Sequence, residues 1–202
     1  DPNFKPTPAL QKLKNDFDAM PKPSSLADLA FRHSKMAQAT FEQHANHVPM
    51  LALYDKNWRQ IDFMSTAFSD QSEKYLFWRN AADRAFYLKA YAMVWTSESW
   101  IRDLKDSNNR PISELPIVGE QLHVVAADAS GATEVVTWAI TRTAENEKPS
   151  LIQLGPEEAF RKPGHIFFVK PVVAAMKLAH AASAIKSGNQ NSNEKPSASS
   201  AV

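Results

Sequence analysis

Apolar residues recur at helical spacing from Leu26 through Leu29, Ala30, His33, Met36, Ala37 and Phe41, behind Ser24 and Ser25, either of which suits an N-cap. The spacing predicts a helix that stops near His47, before Pro49. Met50 to Asp55 and Trp58 to Met64 then read as two strands of a hairpin, with Asn57 as the turn residue able to take positive φ. Asp70 followed by Glu73 resembles a capping box, and Tyr75, Leu76, Arg79, Ala82 and Phe86 carry a second helix to about Tyr87 or Leu88.

From Lys89 to Ile101 the pattern alternates, placing Ala90, Ala92, Val94, Thr96, Glu98 and Trp100 on one face and Tyr91, Met93, Trp95, Ser97, Ser99 and Ile101 on the other. Gln121 to Ala127 and Val135 to Thr141 behave alike across a turn at Asp128 to Gly131. Ser150 to Leu154 and Ile166 to Val169 add candidate edge strands, and Pro171 opens a last helix to about Lys186. Because the middle strands are apolar on both faces, the sheet must be covered twice.

The expected class is therefore α+β: a mainly antiparallel central sheet of about five strands with helices on both faces. The element order resembles profilin-like, roadblock-like or PAS-like arrangements, which is an analogy of topology and carries no function. Around this single domain, residues 25–185, the reading places a Pro-rich arm at 1–24, with a short amphipathic segment from Ala9 to Met20, and a disordered polar tail at 186–202.

Composition narrows the function classes. Lys plus Arg (23) nearly cancels Asp plus Glu (22), with no basic run, so nucleic acid is not an expected partner. The chain has no cysteine, which removes disulfides, thiolate nucleophiles and thiolate metal sites. No apolar stretch approaches the roughly 20 residues that span a bilayer, so a soluble protein is expected, with the cytoplasm as default compartment and a removed signal left open. Five glycines, at 119, 131, 155, 164 and 188, are too dispersed for a dinucleotide fingerprint, a P-loop or a Gly-x-Ser-x-Gly elbow. Neither a cofactor nor a metal is expected.

The run Ala92 to Trp100, with Pro116, Glu120 to Val124 and Asp128 to Gly131, resembles a group of small bacterial and phage proteins with no assigned activity. In these a strand ending in Ser-Glu-x-Trp precedes a Pro-containing loop and a strand that opens with Glu. The resemblance covers about Val48 to Arg142 and implies a domain of bacterial or phage origin without chemistry.

The candidate catalytic residues are Glu98, Glu120 and His123. Glu98 stands where a strand leaves the core, so burial there would raise its pKa; the bland alternative is pairing with Arg102 or another cation. Glu120 and His123 are an odd number of residues apart and point to opposite faces unless the strand bulges. The candidate binding residues are Phe77, Trp78 and Trp100, with Phe77 pointing away from the face shared by Tyr75, Trp78 and Ala82. His44 and His47 have helical spacing suited to a metal, but no third ligand is signalled and histidines near a helix C-terminus favour the dipole anyway. His33, on an apolar face, reads as a satisfied core residue, whereas His165 and His180 are uninformative. The favoured reading is a non-enzymatic protein-binding or assembly module acting through a protein partner or by homodimeric self-association; the alternative is a small acid–base enzyme or ligand-binding domain with a pocket near Glu98, Glu120 and His123.

Overall fold

A computed structural model describes residues 8–65, 67–105, 108–142, 148–155 and 167–191. Helices α1 (Pro8–Ala19) and α2 (Leu26–His44) lead to strands β1 (Met50–Tyr54) and β2 (Gln60–Ser65). Helix α3 (Gln71–Tyr87) is followed by β3 (Ala92–Arg102), β4 (Ile117–Asp128), β5 (Thr133–Thr141) and β6 (Ser150–Gln153), and α4 (Lys170–Asn191) ends the order. The strands form one six-stranded sheet ordered β2-β1-β3-β4-β5-β6, each neighbouring pair antiparallel. The α+β class with an antiparallel central sheet is thus observed.

Local chemistry sets the helix ends. Ser25 is the N-cap of α2, its side chain accepting the Asp28 N–H, and Ala45 closes the helix in the left-handed region at φ 60°. Asp70 accepts the Glu73 N–H at 2.8 Å while the Glu73 carboxylate accepts the Ser69 N–H, a reciprocal cap at the start of α3. The far end of α3 is a Schellman motif: Lys89, at φ 52°, donates to the Phe86 carbonyl and Ala90 to the Ala85 carbonyl. Arg32 of α2 caps α1, donating to the carbonyls of Phe17, Met20 and Pro21 and lying 3.9 Å over the Phe17 ring.

Two turns differ in how they are made. At the β4–β5 turn an Asp128 carboxylate oxygen accepts the N–H groups of Ser130, Gly131 and Ala132, and Gly131 supplies φ 95°. In the β1–β2 connection the left-handed residue is Trp58, at φ 59°, and not Asn57. There Asp55 holds the N–H groups of Asn57 and Arg59, which forces the reversal onto Trp58, and the indole packs edge-on against Tyr91. The edge strand expected over Ile166 to Val169 is not formed either: Phe167–Val169 is a 3₁₀ turn that buries Val169 and runs straight into α4, and Ile166 lies outside the described residues. Helix α4 continues past Lys186 to Asn191, and the rest of the expected tail, 192–202, lies outside the described residues, as do 1–7 of the arm.

Each face of the sheet has its own core. Helix α2 lays Leu29, Ala37 and Phe41 over Ala52, Val94, Leu122 and Val124. Helices α3 and α4 lay Trp78, Ala81, Val172 and Met176 over the opposite face, against Leu53, Met93, Trp95 and Val125. The double apolarity of β3 and β4 is therefore satisfied within the chain. Each fully buried Leu or Met in these layers contributes about 1.5–3 kcal/mol of transfer free energy. His33 is a core residue of the first layer, its Nε2 2.5 Å from the Tyr54 hydroxyl. Burial, with the nearby charges of Arg32 and His47, lowers its pKa to about 4. Among the described residues no helix is long and apolar enough to cross a membrane.

Candidate functional site

The paired registers of β3, β4 and β5 decide which side chains meet. Ser99 faces Gln121 and Ser97 faces His123, so Glu98 and Glu120 share the α2 face as diagonal neighbours while His123 projects from the other. Glu120 pairs with Ile140 on β5, which brings Arg142, just past the end of that strand, to both carboxylates. Its Nε donates to Glu120 at 2.8 Å, and its guanidinium stands 3.7 Å from Glu98. The same group reaches the Ala45 carbonyl at the end of α2 and lies over the Phe41 ring.

Glu98 is further held by the backbone N–H of His47, to which it is hydrogen-bonded. Burial nonetheless raises its pKa, as does the charge on Glu120, and the His47 hydrogen bond and Arg142 only partly offset this. The two acids are thus joined by one cation, and Glu98 also holds a backbone donor. That arrangement ties the α2–β1 link, β3, β4 and the end of β5 together, and the cation it needs is Arg142, not the Arg102 suggested by proximity in sequence.

His123 is 8% exposed on the opposite face. Its Nε2 lies 2.5 Å from Ser99 Oγ and its Nδ1 3.2 Å from Thr137 Oγ1, and burial lowers its pKa to about 4. Either neutral tautomer satisfies both contacts, because each hydroxyl can donate or accept. The structure brings Glu98 and Glu120 together on one face and His123 projects from the other. Glu98 and His123 nonetheless border one cavity of about 300 Å³, with Ser97, Ser99 and Gln121, walled by Phe68, Trp95 and Phe168.

Residues 9–187 match the family described as bacteriophage lambda protein ea47. The chain belongs to that family. A curated relative, Protein ea47 of Escherichia phage lambda, is 34% identical over 170 residues, an alignment covering 82% of this chain and 41% of the relative. The chain therefore spans about two fifths of that relative's length. No solved structure matches it. The resemblance to phage proteins noted from the β3–β4 motifs thus extends across nearly the whole fold.

The remaining candidates of this ea47-family chain separate into core and surface. Trp78 is buried and stacks edge-on to Trp95 at 4.8 Å. Phe77, expected to point outwards, is half-buried between Phe68, Trp78 and Trp95, and the exposed aromatic of that helix turn is Tyr75. The offset arises because α3 rests on the sheet through Trp78, Ala81 and Ala85, which rotates Tyr75 into solvent. Trp100 is exposed. His44 ends α2, whereas His47 lies beyond it, buried, with Nδ1 on the Val48 carbonyl, so the two no longer share a helix face. No group of metal-ligating side chains is present among the described residues.

Sequence reasoning missed Arg142, Ser99 and Thr137. The first was findable: the tight β4–β5 turn fixes the register that sets Arg142 beside Glu120. The long β3–β4 connection concealed which residue of β3 would face His123.

Proposed function

We propose that this ea47-family domain is a non-catalytic binding and assembly module that self-associates through the loop end of the β3–β4 hairpin. The observation that carries the reading is the group of large apolar side chains left in solvent there: Trp100 at 63%, Ile112 at 65% and Val118 at 62% exposure, with Leu104 and Ile117 beside them. Contiguous exposed apolar surface of this kind marks interaction sites, and a Trp beside an Arg is the composition of an interface hot spot.

The hairpin end is held in shape. Arg102 donates to the Leu115 carbonyl and lies 5.9 Å over the Trp100 ring, Leu115 is fully buried, and Asp103 donates to the Pro116 carbonyl. A surface fixed before contact loses less entropy on binding. Its rim carries both signs, Lys105 and Arg110 beside Asp103 and Glu114, so a second copy related by a two-fold axis can set opposite charges against each other. The acid cluster of Glu98 and Glu120 fits the same reading, as the brace behind this surface.

Sedimentation of the chain over a range of concentrations tests the proposal. The wild type should form dimers, W100E and V118E should be monomers with unchanged circular dichroism, and Y87E, at another exposed aromatic, should associate normally. A wild type that stays monomeric at its highest soluble concentration, or dimers that survive both hairpin substitutions, would overturn it.

A further inference from the structure

On the side of the sheet covered by α3 and α4, the strands outrun the helices. Met93 and Trp95 of β3 and Val125 and His123 of β4 are buried on that face, but the residues beyond them, Ser97 and Ser99 on β3 and Gln121 on β4, are only half-buried. They floor the cavity of about 300 Å³, near the lower bound of small-ligand pockets.

The cavity has three chemically distinct parts. Its walls are aromatic: Phe68 and Trp95 lie within 31° of parallel at 6.2 Å, and Phe168, packed 5.3 Å from Trp78, lines it too. Its floor is polar, made by Ser97, Ser99, Gln121 and His123 with Glu98 alongside, whose carboxylate is held by the His47 N–H and Arg142; the side chains of Ser97 and Gln121 form no hydrogen bond among the described residues. The half-buried amide of Gln121 is open to a ligand, and hydrogen bonds made there replace those to water. At the rim, Lys74 is half-buried, pairs with no carboxylate among the described residues, and holds its ammonium 6.0 Å from the Phe168 ring.

We propose that this cavity binds a small planar aromatic anion, its ring between Phe168 and the Phe68–Trp95 wall, its carboxylate-type group at Lys74, and its polar edge on Gln121 and Ser97. Aromatic walls select a flat ring, whereas a single unpaired cation at the mouth selects one negative charge on its outer edge. Glu98 borders the cavity, but its carboxylate is engaged by the His47 N–H and Arg142, and none of the exposed hairpin residues Trp100, Ile112 and Val118 lines it, so the site stands or falls independently of self-association.

Benzoate is the probe, with benzamide as the same ring without charge and acetate as the same charge without a ring, each titrated while the Trp95 indole N–H resonance is followed. Benzoate should shift that resonance saturably, benzamide should bind more weakly, and acetate should not saturate. K74Q should weaken benzoate by about threefold to tenfold, to the level of benzamide, and leave benzamide unchanged. Q121L should weaken both aromatic probes. Lys74 and Gln121 lie outside the sealed cores, and an unchanged melting temperature confirms each variant's fold. Absence of a saturable benzoate response, an equal response to acetate, or K74Q binding benzoate as the wild type does would overturn the proposal.

Discussion

Glu98 on β3 accepts a hydrogen bond from the backbone N–H of His47, a residue between α2 and β1 and 51 positions earlier in the chain. The bond ties the first helical layer to the middle of the sheet. Because burial raises the Glu98 pKa, its stabilising contribution is fully present below the ordinary value of 4.5 and is lost as pH rises through the raised one. Glu98→Gln keeps the acceptor and removes the charge, so at neutral pH it should unfold at the same denaturant midpoint as the wild type or a higher one. Glu98→Ala strands the His47 N–H and should cost about 1–3 kcal/mol. Urea unfolding of the two variants checks this; a Gln variant as damaged as the Ala variant refutes it.

The buried histidines impose the opposite slope. His33 and His123 both have pKa values lowered to about 4 by burial, against 6.5 when unfolded. The unfolded chain therefore binds more protons between these values, and the stability that the neutral rings retain above pH 6.5 is lost as pH falls towards 4. Each ring should account for on the order of 3 kcal/mol across that window. Urea midpoints at neutral and mildly acidic pH should show the loss, and His123→Asn should reduce it. Imidazole resonances that titrate near 6.5 in the folded protein would contradict the expectation.

At the end of α3, Lys89 is exposed and sits at φ 52°, where its Cβ is strained and only the Schellman hydrogen bonds hold it. Lys89→Gly relieves that strain without removing a buried contact and should raise stability by about 0.5–1 kcal/mol, measured by thermal or urea unfolding. A destabilised Gly variant would mean that the lysine stem contributes packing that its exposure does not show.

How far the fold could be read from the chain depended on the range of the interaction. Caps at Ser25 and Asp70, the turn at Asp128 to Gly131 and the two-faced alternation of β3 and β4 are local patterns, and each is where the spacing put it. Trp58 and Phe77 were misplaced because their geometry is set elsewhere, by the Asp55 carboxylate in one case and by the roll of α3 against Trp95 in the other. The site divides in the same way. Parity alone shows that Glu120 and His123 diverge, but the partners of each come from registers and helix placement that no short pattern encodes. Lys74 is the extreme case, an ordinary helix residue until Phe168 arrives beside it from far along the chain.

Arg142 offers the sharpest test of the acid cluster. It lies 2.8 Å from Glu120 and 3.7 Å from Glu98, and its removal leaves two neighbouring carboxylates with no cation between them, Glu98 keeping only the His47 N–H. Arg142→Leu should destabilise the fold at neutral pH and less so under acid conditions, where Glu98 is protonated. In the Glu98→Gln background the same substitution should cost less, because the repulsion it exposes is gone. The difference, read from a double-mutant cycle of unfolding free energies, should be about 0.5–1 kcal/mol, since the arginine is partly exposed and solvent screens the pair. Additive costs in the two backgrounds would show that Arg142 acts through the Ala45 carbonyl and the Phe41 ring alone, and the carboxylates would then lose their place as the brace between the sheet and α2.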